Sequence, residues 1–137
     1  MTSSVKLEDL AQRPFVLPSR LVPLRQSIES ALENVGLVLR VIAEVDSVQT
    51  LKASVEAGLA STILPWSAIH KEATAGTISV QKITNPSISW NVSLCTTDHV
   101  LNTTAAQVVR ELVPVITASL VQQKVWQGVT LASPPGR

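Results

Sequence analysis

Aromatic residues and charged residues are both scarce in this sequence of 137 residues. Phe, Trp and Tyr together make up 3%, and Tyr is absent, so the core must be built from aliphatic side chains. Charged residues account for 15%, whereas about 25% is typical of a globular chain. Hydrophobic residues reach 45%, which excludes an intrinsically disordered chain. The net charge is +1 and no segment concentrates Lys or Arg, so a nucleic-acid-binding surface is not expected.

Cysteine and long apolar runs are also nearly absent. The single Cys95 cannot form an internal disulfide, which fits a reducing compartment. No uncharged apolar run approaches the ~20 residues that a membrane-spanning helix needs. Residues 1–10 lack the apolar stretch of a signal peptide. The sequence therefore predicts a cytoplasmic α/β domain with no membrane partner.

Strand and helix patterns alternate through the first half of the chain. Short apolar runs predict three strands, and apolar residues at helical spacing predict two helices between them, in the order 15–17, 24–35, 37–45, 48–59 and 61–64. This order is typical of right-handed βαβ units around a parallel sheet. Gly36 closes the first helix, and Asp46-Ser47 supplies an N-cap for the second. The nearly continuous apolar run at 37–45 predicts a strand buried on both faces.

The pattern is less regular in the flanking segments. Residues 1–13 are polar and predict only a lead-in. Weaker patterns predict one or two helical turns and then two strands, over residues 66–73, 77–83 and 87–96. Thr104 and Gln107 read as a capping box that opens the last helix. Pro114 lies inside that helix and predicts a kink or a split.

The ends of the predicted parallel strands form a candidate ligand site. In open parallel sheets, ligands bind beyond the carboxyl ends of the strands, where helix N-termini offer free N–H groups. The segments after the three strands carry hydroxyls, a guanidinium and an indole, which suit a small polar or anionic ligand with an apolar part. The candidate residues are Ser19, Arg20, Ser47, Thr50, Thr62, Leu64 and Trp66.

Each of these residues also has a purely structural interpretation. Ser47 suits a helix cap, and Ser19 with Arg20 suits the end of a strand. Trp66 suits a core or hinge plug. The binding hypothesis therefore rests on the convergence of three segments rather than on any one side chain.

Catalytic, metal and cofactor sites are not indicated. His70 and His99 lie in different predicted elements without a partner at metal-ligand spacing. The 5 glycines are isolated, so no phosphate-binding loop is present. Cys95 and His99 form the one conceivable nucleophile and base, but a structural thiol is the simpler interpretation. The sequence predicts a protein that is not an enzyme and that needs no metal or cofactor, with the Cys95–His99 pair left as an alternative.

Several segments in order resemble one family. The first group is Leu17-Pro18-Ser19, Val45-Asp46-Ser47, residues 55–60 and Thr62-Ile63-Leu64-Pro65. Their order and spacing resemble the effector-binding domain of LysR-type transcriptional regulators. The second group, which resembles the subgroup related to nitrogen assimilation regulators, is Leu94-Cys95-Thr96, the helix from Thr104 and Val125-Trp126-Gln127-Gly128. The resemblance covers about residues 5–132.

The resemblance implies a periplasmic-binding-protein-like (type II) α/β fold of two lobes with an effector cleft between them. One lobe would be complete, with parallel βαβ units, and the other would be represented by its last strand and helix. On this mapping the lead-in or hinge, the second lobe, the return to the first lobe and a frayed tail are residues 1–14, 15–84, 85–130 and 131–137.

The resemblance also implies a function and partners. Regulators of this family are longer and begin with a winged helix-turn-helix, so we expect this chain to match the C-terminal half of the effector domain and not to bind DNA specifically by itself. A small polar or anionic metabolite would be the effector, and a homodimer or higher oligomer the assembly, since the last helix would leave an apolar patch uncovered. The alternative is a truncated module that associates with itself or with a full-length regulator and binds no ligand.

Overall fold

The computed structural model describes residues 3–96 and 103–132. The chain divides into two compact units, Met1–Asn91 and Val92–Arg137. The first unit contains β1 (Ser3–Val5), a 3-10 helix (Leu7–Leu10), β2 (Pro14–Leu17), α1 (Pro23–Glu33), β3 (Arg40–Glu44), α2 (Val48–Glu56), α3 (Trp66–Ala75) and β4 (Gln81–Ile83). The second unit contains α4 (Thr104–Gln122). The expected frayed tail from residue 133 onward lies outside the described residues.

Parallel strand pairing organises the first unit. β2 pairs in parallel with β3, and Phe15 forms a parallel bridge to Ser61 on the other side of β2. Two backbone hydrogen bonds carry that bridge, from the amide of Val16 to the carbonyl of Ser61 (3.0 Å) and from the amide of Ser61 to the carbonyl of Pro14 (2.8 Å). β1 pairs in parallel with β4. The predicted α/β class with parallel strands is therefore confirmed.

The core of the first unit is aliphatic, as the scarcity of aromatic residues predicts. Its largest fully buried side chains are Phe15, Leu7, Leu17, Ile28 and Leu51. The position of Leu7 differs from the sequence-based expectation of a simple lead-in, because the 3-10 helix buries both Leu7 and Leu10. Burying a leucine of this kind stabilises a fold by about 1.5–3 kcal/mol, so the start of the chain contributes to the core.

Helix α1 forms where the sequence predicts it. Pro23 occupies the first turn, where its missing N–H leaves no bond unmade. Ile28, Ala31 and Leu32 are buried, which gives the helix one apolar face. Gly36 adopts a φ of +66°, the left-handed conformation that glycine tolerates best, and this ends the helix.

Strand β3 is shorter and more exposed than predicted. It spans five residues, and Ile42 within it is 49% exposed. The pairing skips this residue, since Phe15 opposes Val41 and Val16 opposes Ala43. Within residues 3–96 and 103–132, β3 pairs with β2 alone, so one of its edges has no neighbouring strand. Side chains also alternate along this run, with Leu39 buried and Val38 84% exposed, so one face is uncovered and the prediction that the run 37–45 is buried on both faces is wrong.

Three other segments differ from the predicted strands and turns. Only Ser61 of the predicted strand 61–64 pairs with a neighbour. The predicted strand 77–83 shortens to β4, because α3 extends to Ala75 and ends at Gly76, whose φ is +74°. Residues 87–96 have no regular secondary structure, although their polarity alternates. A strand needs a hydrogen-bonded neighbour, and none of the described residues pairs with this segment.

Helix α4 begins one residue earlier than the predicted cap implies, and it is continuous. The side chain of Thr103 accepts a hydrogen bond from the amide of Ala106 (3.2 Å), so Thr103, not Thr104, is the N-cap. Pro114 lies inside the helix without splitting it, and the residues on both sides of it remain helical.

The surface of α4 is apolar and largely uncovered. Its exposed large side chains are Val108, Val109, Leu112, Val113, Val115 and Ile116. By length and mean hydropathy (1.3) the helix is long and apolar enough to cross a membrane, and none of it is buried in the structure. Length and composition alone do not identify a membrane span, because core helices of soluble proteins pass the same criterion.

The burial of Leu7 yields a stability prediction. Leu7→Ala should lower the free energy of unfolding by about 2–5 kcal/mol, the range for deleting a fully buried leucine side chain. Leu21→Ala, at a side chain that is 88% exposed, should change it by less than about 0.5 kcal/mol. Urea denaturation followed by circular dichroism measures both. Equal effects of the two substitutions would contradict the placement of the 3-10 helix in the core.

Candidate functional site

Three segments leave the sheet of the first unit at the same edge. β2, β3 and the bridge residue Ser61 all run in one direction, so the chain continues from each of them beyond the carboxyl ends. These continuations, here called the rim, are residues 18–20, 45–50 and 62–67, and they lead into α1, α2 and α3. The rim contains all seven candidate binding residues.

A direct contact joins the first two segments of the rim. The backbone amide of Ser19 donates to Oδ1 of Asp46 (2.8 Å), and the Ser19 hydroxyl donates to Oδ2 of the same carboxylate (3.1 Å). The amide of Val45 also donates to the carbonyl of Leu17 (2.9 Å). Because its proton is directed to Asp46, the Ser19 hydroxyl faces any further group as a hydrogen-bond acceptor.

A cluster of charged side chains lies behind this contact. Arg25 is only 4% exposed, and its guanidinium contacts Oε1 of Glu29 (2.9 Å) and Oε1 of Glu44 (3.4 Å). It also donates to the carbonyl of Pro18 (3.1 Å). Arg20, the predicted cation of the site, is 74% exposed and pairs with Glu29 (3.2 Å). Arg20 is thus the accessible positive charge of the rim, and Arg25 is the buried one.

Ser47 caps α2, as its structural interpretation predicts. Its side chain accepts a hydrogen bond from the amide of Thr50 (3.3 Å). The Thr50 carbonyl accepts from the hydroxyl of Ser54 (2.9 Å), and Thr50 itself is exposed. The capping bond satisfies one of the free donors of the helix terminus.

The third segment of the rim contains an unpartnered hydroxyl. The Thr62 Oγ1 atom is buried and has no hydrogen-bond partner among residues 3–96 and 103–132. Leu64 and Trp66 are half-buried, and α3 begins at Trp66 without a side-chain cap. The structure brings this segment to the rim, but no hydrogen bond within the described residues joins it to Ser19 or Asp46. A buried hydroxyl without a partner costs about 1–3 kcal/mol.

An ion pair joins the two helices that follow the rim. Lys52 of α2 lies 2.6 Å from Oε1 of Glu72 of α3, and both side chains are mostly buried. The hydrogen bond from Lys52 is the main cause that lowers the pKa of Glu72 below its ordinary value of 4.5. Its backbone hydrogen bond and the charges of Lys52 and His70 act in the same direction, whereas burial opposes them. The pair therefore favours an ionised Glu72.

The structure describes only one residue of the alternative catalytic pair. Cys95 is exposed, and His99 lies outside the described residues. The ring nitrogen Nδ1 of His70 lies 3.2 Å from the carbonyl of Ser67, one turn earlier in α3. Among residues 3–96 and 103–132, no group of three or more His, Cys, Asp or Glu side chains could hold a metal ion.

Sequence reasoning did not identify the two charged residues that organise the rim. Asp46 was interpreted as part of a helix cap, but its carboxylate binds Ser19 on the neighbouring strand end. The position of Arg25 in the sequence is itself informative. It is a cation in the first turn of a helix, where the helix dipole disfavours positive charge. Such a placement indicates a partner outside the helix.

Comparison with known proteins identifies a family and its named relatives. Residues 2–114 match the LysR substrate binding domain family. The nitrogen assimilation regulatory protein nac of Escherichia coli (strain K12) is 31% identical over 128 residues, which cover 93% of this chain and 42% of that protein. The nac protein of Klebsiella aerogenes is 29% identical over 109 residues, covering 80% of this chain and 36% of its own length. A "Probable RuBisCO transcriptional regulator" of Cyanophora paradoxa is 28% identical over 111 residues, covering 79% and 34% respectively.

These comparisons confirm the resemblance drawn from the sequence motifs, including its similarity to nitrogen assimilation regulators. The chain spans less than half the length of the curated relatives that it matches.

The lowered pKa of Glu72 predicts how stability depends on pH. Its folded-state pKa lies below the ordinary 4.5, so the unfolded chain takes up the proton first as the pH falls. The stability contributed by the Lys52–Glu72 pair is thus fully present above pH 4.5 and is lost as the pH falls through the folded-state pKa. Glu72→Gln should be less stable than the parent at pH 7, and the difference should shrink below pH 4.5.

Urea denaturation at a series of pH values measures this difference. Glu8→Gln, at an exposed carboxylate of the 3-10 helix, serves as the control. A parent-to-variant difference for Glu72→Gln that stays constant from pH 7 to pH 3 would contradict the prediction.

Proposed function

Because this chain belongs to the LysR substrate-binding-domain family, we propose that it senses a small-molecule effector at the rim. It is an effector-binding domain of a LysR-type transcriptional regulator, and its named relatives are transcriptional regulators, not enzymes. The observation that carries the proposal is the parallel pairing of β2 with β3 and Ser61, which directs all three candidate segments to one edge. Ligand sites of open α/β sheets lie at that edge.

The chemistry of the rim favours a small polar or anionic metabolite. The helices α1 and α3 begin without a side-chain cap, so backbone N–H groups in their first turns are available to an anionic group. Arg20 supplies an accessible positive charge. Thr62 supplies a hydroxyl without a partner, which effector binding would have to expose because it is buried in the free protein. Leu64 and Trp66 would contact an apolar part of the same ligand.

The Ser19–Asp46 contact restricts which chemical group of the proposed effector can bind beside it. Asp46 carries a negative charge, and the Ser19 hydroxyl can only accept. The effector group that meets this pair would therefore be a hydrogen-bond donor, such as a hydroxyl, amide or ammonium group. A ligand with a donor at one end and an anionic group at the other would satisfy both parts of the rim.

The proposed mechanism is a shift between two conformations of a larger protein. The family supports a periplasmic-binding-protein-like fold, in which we assign residues 15–84 to one lobe and residues 85–130 to the return to the other. An effector that contacts both lobes would favour the closed state over the open one. In a homodimer or higher oligomer this change would alter how the DNA-binding domains of the regulator are presented.

Tryptophan fluorescence tests the binding proposal. The variant Trp90→Phe with Trp126→Phe leaves Trp66, at the start of α3, as the one tryptophan of the chain. A panel of small amino acids, hydroxy acids and dicarboxylates, including nitrogen-rich metabolites, is titrated into this variant. At least one compound should change the Trp66 emission in a saturable manner. Silence across the whole panel would count against effector binding by this chain.

The variant Thr62→Val tests whether Thr62 belongs to the binding site, in the same Trp66 fluorescence titration. Loss of one hydrogen bond should weaken the binding of a responding compound by about threefold to tenfold. The free protein should be as stable as the parent or more stable, because the variant removes an unpartnered buried hydroxyl. Thr84→Val, at an exposed residue after β4, should leave the affinity unchanged. A variant that destabilises the free protein without changing the affinity would place Thr62 outside the site.

A second candidate function is association without ligand binding. It is favoured by the uncovered apolar surface of α4, where Val115 is 66% exposed and Ile116 is 51% exposed. On this alternative the chain pairs with itself or with a full-length regulator. Light scattering at high micromolar concentration should then give a mass above that of one chain, and Val115→Lys should reduce it. Leu21→Lys, at an exposed residue before α1, is the control.

A monomeric mass for the parent would exclude self-association through α4. Self-association without any response of Trp66 to the panel would favour this second function over effector sensing.

A further inference from the structure

A single buried charge lies directly behind the rim. Among residues 3–96 and 103–132, Arg25 is the one charged or polar residue that is buried. Removing a guanidinium from water is costly unless it is paired and hydrogen-bonded. Arg25 is the third residue of α1, near the positive end of the helix dipole, and no acidic residue lies in that first turn. The helix dipole therefore disfavours a cation at this position.

The contacts of Arg25 connect three elements. Nε and Nη2 contact Oε1 of Glu29, one turn later in α1 (3.0 and 2.9 Å). Nη1 contacts the carbonyl of Pro18 after β2 (3.1 Å) and Oε1 of Glu44 at the end of β3 (3.4 Å). The planar, multiply donating guanidinium makes this set of contacts possible, whereas a lysine would offer one nitrogen.

The peptide unit between Pro18 and Ser19 is bound at both of its polar groups. Its carbonyl accepts from Arg25 (3.1 Å), and its N–H donates to Asp46 (2.8 Å). A peptide unit is planar, with the C=O and the N–H pointing in opposite directions. Fixing the direction of the carbonyl therefore also fixes the direction of the Ser19 N–H.

We propose that Arg25 is the positioning residue of the rim: through the Pro18 carbonyl it orients the Pro18–Ser19 peptide so that the Ser19 N–H points at Asp46, whose carboxylate also accepts from the Ser19 hydroxyl. Arg25 itself is buried, so it acts on the ligand site through Ser19 and not by contact with the ligand. The Ser19 hydroxyl is therefore already oriented as a hydrogen-bond acceptor before the effector binds. This preorganisation lowers the conformational entropy that is lost on binding. The role in effector recognition rests on the proposed function, whereas the orientation of the peptide does not.

Hydrogen exchange of the Ser19 amide tests the positioning role without any ligand. The whole chain is studied by two-dimensional NMR, and the protection of the Ser19 amide is divided by that of Val16, whose amide donates to Ser61 across the neighbouring pairing. Val16 reports the opening of the buried β2 strand, so a loss of protection at Ser19 that exceeds any loss at Val16 marks a local effect. Pro18 and Ser19 are unchanged in every variant, so the intrinsic exchange rate of the Ser19 amide also stays constant.

Arg25→Met should lower the Ser19-to-Val16 protection ratio by about tenfold or more, the effect of losing a hydrogen bond to a charged group. Asp46→Ala removes the acceptor and sets the value for an unbound Ser19 amide. Arg25→Lys keeps the charge and should give a ratio between the parent and Arg25→Met. It also serves as the test if Arg25→Met does not fold. Ile28→Val, at a fully buried residue of the same helix, should leave the ratio unchanged.

A ratio within twofold of the parent in every Arg25 variant that folds would overturn the proposal, as would an equal drop in Ile28→Val. Either result would leave effector binding at the rim to be decided by the Trp66 titration. Conversely, a silent titration with a reduced ratio would support the positioning of Ser19 while removing its link to an effector.

Discussion

Strand β2 pairs in parallel with β3, and a parallel bridge joins Phe15 of β2 to Ser61. This pairing sets the direction in which the chain leaves the sheet after β2, after β3 and after Ser61. Because the three strand ends point the same way, the first turns of α1, α2 and α3 follow from one edge. Antiparallel pairing of either neighbour would move one of these segments to the opposite edge. The rim exists because the strands are parallel. The Ser47 cap, the exposed Arg20 and the unpartnered Thr62 hydroxyl lie at one edge of the sheet for the same reason.

Four charged side chains lie together where the strands end. Although charged residues make up only 15% of the sequence, Arg25, Glu29, Glu44 and Asp46 all lie at the ends of β2 and β3 or on the helix behind them. Buried ion pairs contribute little net stability compared with apolar packing. The aliphatic core around Leu17 and Ile28 supplies the stability, and the charges define the orientation of groups at the edge.

The local signals that bound α1 and α2 were read correctly from the sequence, whereas the neighbours of individual strands were not. Pro23 and Gly36 bound α1 through backbone preferences that act within a few residues, and Ser47 caps α2 through a bond to Thr50. Whether both faces of a strand are covered depends on elements that are distant in sequence, so the exposure of β3 does not follow from its apolar run. The same holds for residues 87–96, whose alternating pattern needs a partner strand. Within the rim, the seven candidates follow from topology, but the roles of Asp46 and Arg25 depend on contacts across 27 and 7 residues of chain.

Chemical-shift mapping tests the central claim most directly. An isotope-labelled sample of the chain is titrated with the metabolite panel, and the backbone amide shifts are followed residue by residue. If the rim is the effector site, a binding compound shifts the amides of the non-proline residues in 18–20, 45–50 and 62–67 together, with one common dissociation constant. Shifts confined to α4, or saturable shifts elsewhere in the first unit that leave these three segments unchanged, would contradict the account.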